Sequence, residues 1–246
     1  MIKETILLLF IGHFLGDYYF QSDSFAHNQT PKKILKHSLI YALTLILMIL
    51  PVFNLYVLIL TLIIAMTHGL IDYEKYLYKE QNTLIYSQLI FVYLFDQALH
   101  LLVILLGGAI LAMSQGEYHY ISTLENIILQ LQLNTEQILS WIIILLVVYK
   151  PSSITIRVVL NHFEPRNKKE ADPGVSNAGA LIGIFERFII LLMLHAGQYS
   201  AIGFVLTAKS VARYNKISEN PQFAEYYLLG TLLSSLIIIL SYYLIF

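Results

Sequence analysis

The sequence predicts an all-α protein, a bundle of about eight transmembrane helices. Charged residues make up only 13% of the 246 residues, apolar residues make up 57%, and the mean hydropathy is +0.68. Soluble domains carry about 25% charged residues, so this chain is far too apolar for that class. The net charge of −1 offers no basic field for nucleic acid, and the absence of cysteine excludes disulfides and thiolate metal sites. The expected partner is therefore the lipid bilayer, and no feature predicts an oligomeric state.

Eight apolar runs could each cross a hydrocarbon layer of about 30 Å, although some are short. Pro51 and Asn54 are the only break between the second and third runs, which predicts a tight helical hairpin. The seventh run is the shortest, and a re-entrant segment there would reduce the count to seven spans. The predicted segments are 5–20, 37–53, 55–71, 84–113, 138–160, 178–195, 201–212 and 226–246.

Basic residues accumulate in alternate loops, which predicts the orientation of the chain. The loops after segments one, three, five and seven contain Lys32, Lys33, Lys36, Lys75, Lys79, Arg166, Lys168, Lys169, Arg213 and Lys216. The opposite loops contain Glu117, Glu125 and Glu136 without Lys or Arg, and only Lys3 departs from the pattern. We therefore expect a protein of the cell (inner) membrane with both termini outside the cytoplasm.

The predicted organisation is one integrated membrane domain in three stretches. Residues 1–113 form a half with four helices and His/Asp motifs, 114–137 form an external loop, and 138–246 form a second transmembrane half. Within the external loop, the run from Ser122 to Glu125 resembles a capping box and predicts a short interfacial helix. In segment five, Pro151 predicts a kink, with Ser152 and Ser153 available to bond the freed carbonyls.

Histidines and aspartates recur four residues apart in the first half. Residues at this spacing share one face of a helix, so His13, Asp17 and Gln21 should form a polar stripe. The same spacing recurs twice further along, and one more histidine opens segment two. In the predicted topology all these groups lie in the cytoplasmic half of the membrane. The predicted metal ligands are His13, Asp17, His37, His68, Asp72, Asp96 and His100.

Ionisable groups inside a membrane are costly and usually functional. A divalent metal would satisfy these aspartates and histidines together, and the donor types favour zinc, with manganese or iron as alternatives. A catalytic ion would convert bound water to hydroxide, and we assign catalytic roles to Asp17 and Asp96 and substrate contacts to Gln21 and Lys33. Two other interpretations stay open: a proton or ion pathway, and hydrogen-bonded pairs that lock the helices together.

A second charged cluster lies in the last three segments. Arg187, Lys209 and Arg213 could hold a substrate phosphate, with Arg157 joining them. The other interpretation is internal pairing of Glu186 with Lys209 or Arg213, and of Glu225 with Arg187.

The motifs His13-x-x-x-Asp17-x-x-x-Gln21, His68-Gly-Leu-Ile-Asp72 and Asp96-Gln97-x-x-His100 resemble those of a bacterial membrane family, domain of unknown function 3307. The downstream run Gly179-x-x-Ile182-Gly183-x-x-Glu186-Arg187 is similar to the C-terminal half of many members, so the resemblance covers nearly the whole chain. The family implies no established activity. The H-x-x-x-D spacing alone is also similar to zinc-dependent phospholipase C, P1-type nucleases and membrane-bound metal-dependent hydrolases.

Together these patterns predict an integral membrane metalloprotein that hydrolyses a phosphate or related ester, presented by an anionic lipid or another phosphorylated substrate, at the cytoplasmic leaflet. A proton- or cation-coupled transporter would use the same His/Asp cluster. A membrane scaffold without catalysis would instead present the basic loop 166–169 to a cytoplasmic partner.

Overall fold

The computed structural model describes residues 1–21, 29–114, 116, 118–163 and 178–246, and these residues form helices and connections without any strand. The basic loop 166–169 and Glu117 lie outside the described residues. The helices are α1 (Ile2–Phe14), α2 (Pro31–Ile49), α3 (Leu55–Gln81), α4 (Tyr86–Met113), α5 (Ser122–Gln130), α6 (Thr135–Leu160), α7 (Ala178–His195), α8 (Tyr199–Ala212), α9 (Tyr214–Glu219) and α10 (Pro221–Ile245).

Five helices within the described ranges are long and apolar enough to cross a membrane: α2 with its extension to Val52, α3, α4, α6 and α10. The helix α8 is apolar but has only 14 residues, as the short seventh segment suggested. The all-α membrane class is therefore confirmed, whereas the count of eight spans stays a prediction.

Side-chain caps explain where several helices begin. The side chain of Asn54 accepts a hydrogen bond from the backbone N–H of Tyr56 at 2.8 Å, and α3 begins at the next residue. Leu50–Val52 form a 3₁₀ turn that ends α2 at Pro51. The predicted hairpin of α2 and α3 is thus confirmed. Asn220 caps α10 in the same way, through the backbone N–H of Phe223.

The predicted short helix in the external loop is confirmed as α5, but the predicted capping box is wrong. The helix begins at Ser122 itself, so the residue at the cap position is Ile121, which has no side-chain oxygen. A serine inside the first turn cannot bond the N–H groups that a cap residue would reach.

The chain divides into two compact units, which we call the N-terminal unit (1–146) and the C-terminal unit (147–246). The predicted division at residues 113 and 137 follows loops and stays a prediction. In the N-terminal unit, α1 packs closely on α2: a Cβ on Gly12 would lie 2.8 Å from Leu45, and one on Gly16 would lie 2.8 Å from Tyr41. Larger residues at these glycines would force the helices apart.

Helix α1 does not continue regularly to residue 20. Leu15–Tyr19 form a widened π-type turn, in which the N–H of Phe20 bonds the carbonyl of Leu15. Such turns often occur at functional sites, and this one contains Asp17. The predicted stripe of His13, Asp17 and Gln21 is therefore interrupted, because Gln21 lies beyond the end of the helix.

Candidate functional site

The seven predicted metal ligands come from four helices of the N-terminal unit. His13 lies on α1 and Asp17 on the widened turn that follows it. His37 lies on α2, the pair His68 and Asp72 on α3, and the pair Asp96 and His100 on α4. Each is no more than 6% exposed. The predicted convergence of the aspartates and histidines is thus found in the structure.

Four of these residues form one group that could hold a metal ion: Asp17, His37, His68 and Asp72. The Nε2 atoms of His37 and His68 lie 3.2 and 3.5 Å from the Oδ1 atom of Asp17, and His37 Nε2 lies 3.6 Å from Oδ2 of Asp72. A tetrahedral ion with bonds of about 2.0–2.1 Å holds its ligand atoms about 3.3–3.4 Å apart. The separations in this group, which we call the first ligand group, fit such an ion.

A second ligand group consists of Asp72, Asp96 and His100. His100 Nε2 lies 3.4 Å from Oδ1 of Asp96 and 4.0 Å from Oδ1 of Asp72. Asp72 belongs to both groups: its Oδ2 atom faces the first group and its Oδ1 atom faces the second. A shared carboxylate of this kind can bridge two cations.

Lys75 supplies a cation to the second group. Its Nζ atom donates to Oδ1 of Asp72 at 2.6 Å and to Oδ2 of Asp96 at 2.9 Å. The ammonium therefore lies between the two carboxylates that a second metal ion would need.

The cluster contains more negative than positive charge. Asp17, Asp72 and Asp96 are buried carboxylates, and Lys75 is the one lysine or arginine that forms an ion pair with them among the described residues. With neutral histidines, two negative charges remain uncompensated. Because isolated buried charge is very costly, a divalent cation is the simplest group that would balance them.

Several buried donor and acceptor atoms of the cluster have no hydrogen-bond partner within the described ranges. They include both ring nitrogens of His68 and of His100, Oδ2 of Asp72 and Oδ1 of Asp96. Buried polar atoms in folded proteins are nearly always bonded, so this concentration of exceptions indicates a ligand.

His13 belongs to neither ligand group. Its Nδ1 atom lies 3.2 Å from the hydroxyl of Tyr41, and its ring centroid lies 6.1 Å from that of His68. The Tyr41 ring stacks on His68 at 3.6 Å, and His68 stacks on His100 at 4.0 Å. His13 therefore contributes to the packing that orients the rings, and its prediction as a ligand is not matched by the geometry.

Sequence reasoning did not assign site roles to Lys75, Gln97 and Tyr18. The amide of Gln97 donates to Asp17 at 3.0 Å and to Asp96 at 3.1 Å, and its carbonyl accepts from Tyr18 at 2.6 Å. Lys75 follows Asp72 by three residues, and this helical spacing was a usable signal. No pattern in the sequence identified Tyr18.

The two substrate contacts predicted for the N-terminal unit lie at its edge. Gln21 is half-buried, and no hydrogen bond joins it to the cluster among the described residues. Lys33 is half-buried on the first turn of α2, one turn before His37, and its backbone N–H donates to the Thr30 cap.

The second charged cluster lies in the C-terminal unit. Lys209 Nζ donates to Glu186 at 2.6 Å and to the hydroxyl of Thr231 at 2.9 Å, so one of the predicted pairs is present. Arg187 instead donates to the carbonyl of Val148 at 2.8 Å and to Ser153 at 2.6 Å. The predicted pair of Arg187 with Glu225 is absent from the described part of the chain.

These residues border a cavity of about 650 Å³, which we call the basic cavity. It lies where the end of α6, the start of α7, the end of α8 and the start of α10 meet, because these four helices alternate in direction. Its charged lining residues are Arg157, Glu186, Arg187, Lys209 and Arg213.

Comparison with known proteins identifies the family. A family model described as "Protein of unknown function (DUF3307)" matches residues 5–129, about half of the chain. The chain belongs to this family, and the matched stretch contains all seven predicted ligands. No curated protein and no solved structure matches the chain.

Proposed function

We propose that this member of the DUF3307 family binds a divalent metal ion in its His/Asp cluster and uses it to hydrolyse a phosphate or related ester. The observation that supports the proposal is the buried charge: three carboxylates and one lysine leave a deficit that one divalent cation would neutralise. The unbonded imidazole nitrogens beside these carboxylates supply the remaining donors.

The first ligand group offers two imidazoles and two carboxylates. Four protein ligands complete a tetrahedral zinc site, whereas catalysis needs a further position for water. Zinc would therefore have to become five-coordinate. Manganese or iron, with more coordination positions, would retain room for water with the same ligands.

The proposed roles follow from the contacts of each aspartate. Asp17 would bind the ion while the Gln97 amide holds its second oxygen. Asp96, held by Lys75 and Gln97, would accept the proton of the attacking water. Arg187, Lys209 and Arg213, with Gln21 and Lys33, would contact the substrate.

The proposed setting is the inner membrane, with eight spans, both termini outside the cytoplasm and the metal site in the cytoplasmic half. The lysines and arginines of alternate loops support this orientation.

Metal analysis of the purified protein tests the proposal. We expect about one equivalent of Zn, Mn or Fe per chain, which is lost in His68→Ala and largely retained in His13→Ala, because His13 lies outside both ligand groups. His162→Ala, an exposed histidine of the C-terminal unit, is the matched control. Wild-type protein without metal, or equal metal in all three variants, would contradict metal binding.

Hydrolysis is tested separately with p-nitrophenyl phosphate and with phospholipid in detergent. Activity should disappear with a chelator, return with the metal found in the protein, and be absent from His68→Ala. Metal-loaded protein without activity on any phosphate ester would retain the metal site and exclude the hydrolase.

A second candidate function is cation transport through the same cluster. The observation that favours it is Lys75, a mobile cation already bound between two carboxylates that a transported ion would share. Protein reconstituted in liposomes would then move the metal ion across the bilayer, whereas the hydrolase would not.

A further inference from the structure

We propose that the basic cavity of the C-terminal unit binds a phosphate-bearing anionic amphiphile, with its phosphate among the arginines and its chain along the apolar wall. Every residue of this site lies between positions 147 and 246. The proposal therefore does not depend on the metal site or on hydrolysis.

Charge is the first reason. Four basic side chains line the cavity, Arg157, Arg187, Lys209 and Arg213, and Glu186 is the one carboxylate among the lining residues that the structure describes. Glu186 is already paired with Lys209. The three arginines remain without a carboxylate partner in the described ranges, so the cavity carries a surplus of positive charge that attracts an anion.

The position of Arg187 is the second reason. It is only 3% exposed, and its Nε and Nη2 atoms are fixed by Val148 and Ser153. Its Nη1 atom has no hydrogen bond among the described residues and lies beside Gly183, which lines the cavity. A guanidinium fixed on one side and available on the other is well suited to bind a phosphate oxygen.

The local sequence explains why Arg187 is held there. Pro151 lacks an N–H and so leaves the carbonyl of Val147 without its helical partner. Ser152 bonds that carbonyl at 2.6 Å, and Arg187 bonds the next carbonyl, that of Val148. The proline in α6 thus creates acceptors that fix a charged side chain of α7.

Two buried lining atoms supply a further indication of a ligand. Oε1 of Glu186 and Oγ of Ser234 have no hydrogen-bond partner in the described part of the chain. The serine hydroxyl can donate to a phosphate oxygen, and the carboxylate can accept from a hydroxyl group of the headgroup. A headgroup that contains both phosphate and hydroxyl would satisfy both atoms.

The shape and lining favour an amphiphile. Ile156, Leu160, Ile182 and Phe223 form apolar parts of the wall. A volume of about 650 Å³ is within the usual range of small-molecule sites, large enough for a headgroup and the first part of an acyl chain. Gly179 also lines the cavity, and a Cβ there would meet nothing within 4 Å. The predicted close helix contact at Gly179 is therefore absent from the structure, and the space beside it is open.

Binding is tested with purified full-length protein in nanodiscs of phosphatidylcholine, to which phosphatidylglycerol is added in increasing amounts. Native mass spectrometry measures the retained phosphatidylglycerol, and isothermal titration with glycerol 3-phosphate and inorganic phosphate tests the soluble source of the same chemistry. We expect selective retention of phosphatidylglycerol and much weaker binding of the two soluble anions. Soluble anions that bind as tightly as the lipid would overturn the amphiphile and assign the cavity to a free phosphate ester.

Two variants weaken the site in different ways. Arg213→Gln removes one exposed cation, and we expect about tenfold weaker retention, as for one charge-assisted hydrogen bond. Gly179→Leu changes no charge but fills the open space, and should weaken binding of the lipid more than of inorganic phosphate. Lys216→Gln removes an exposed positive charge that does not line the cavity, so it should bind like wild type. Binding that is absent from wild type, or equal in all these proteins, would overturn the proposal.

Discussion

The two units each bury charged side chains on apolar helices, but they resolve the cost in opposite ways. In the N-terminal unit, carboxylates outnumber ammonium groups, and every predicted ligand is nearly inaccessible. In the C-terminal unit, basic side chains outnumber the one lining carboxylate, and they border an open cavity of about 650 Å³. A closed negative cluster suits a single small cation, whereas an open positive cavity suits a larger organic anion.

The comparison shows how burial decides which ligand a charged cluster can take. Packed rings surround the N-terminal cluster, with His68 stacked between Tyr41 and His100, so little volume remains for more than an ion. In the C-terminal unit, Gly179 and Gly183 leave space on α7. The charge of a cluster sets the sign of its ligand, and the residues around it set the size.

The largest expected effect follows from Asp72→Asn. This carboxylate belongs to both ligand groups and bonds Lys75, so its loss should abolish metal binding and leave Lys75 with one carboxylate partner. Removing one partner of a buried ion pair costs about 3–5 kcal/mol, and we expect a similar loss of unfolding free energy. Metal analysis and thermal unfolding with and without added zinc measure the two effects.

Asp72→Asn keeps the size of the side chain, so a loss of metal would reflect the missing charge. The control is Glu80→Gln, an exposed acid two turns later on α3. A variant that retains one metal ion and unfolds like wild type would show that the N-terminal cluster is balanced in some other way.

The next effect concerns Lys75→Met, which removes the cation from the second ligand group. Asp72, Asp96 and His100 would then lack their internal counter-charge, and the cluster would have three buried carboxylates without a lysine. We expect the metal content to rise from about one to about two equivalents per chain, because a second ion would replace the ammonium. Lys79→Met, one turn later and exposed, is the matched control.

Metal analysis over a series of zinc or manganese concentrations measures this change. If Lys75→Met binds no more metal than Lys79→Met, Lys75 does not occupy a cation position. The contrast between the two units would then rest on burial alone.

The sequence predicted the convergence of the acidic and imidazole groups because helical spacing fixes which residues share a face. Asp72 with His68, and Asp96 with His100, lie four residues apart in regular helices and meet as expected. The prediction was less successful for Gln21, since the widened turn at 15–19 ends the regular face. The signals for such a turn are not visible in residue types alone.

Long side chains explain the other differences. Lys75 was read as part of a basic loop, although its side chain reaches back into the cluster. Of the pairs predicted for the C-terminal unit, Glu186 with Lys209 is present, whereas Arg187 bonds a backbone carbonyl beside Pro151. Spacing along one helix cannot tell which neighbouring helix a flexible arginine will contact.

The smallest expected effect follows from Glu186→Gln, which tests the C-terminal unit in the reverse sense of Lys75→Met. The change keeps the size of the side chain and removes the one carboxylate that lines the cavity in the described residues. Lys209 would lose its ionic partner while keeping Thr231, so its charge would become available to an anion. We expect phosphatidylglycerol retention in nanodiscs to increase severalfold and the unfolding free energy to fall by about 1–3 kcal/mol. Glu225→Gln, an exposed acid that does not line the cavity, is the control and should change neither quantity. If Glu186→Gln binds the lipid more weakly than wild type while remaining folded, then the carboxylate is itself a ligand of the headgroup, and the positive surplus is not what selects the occupant of the cavity.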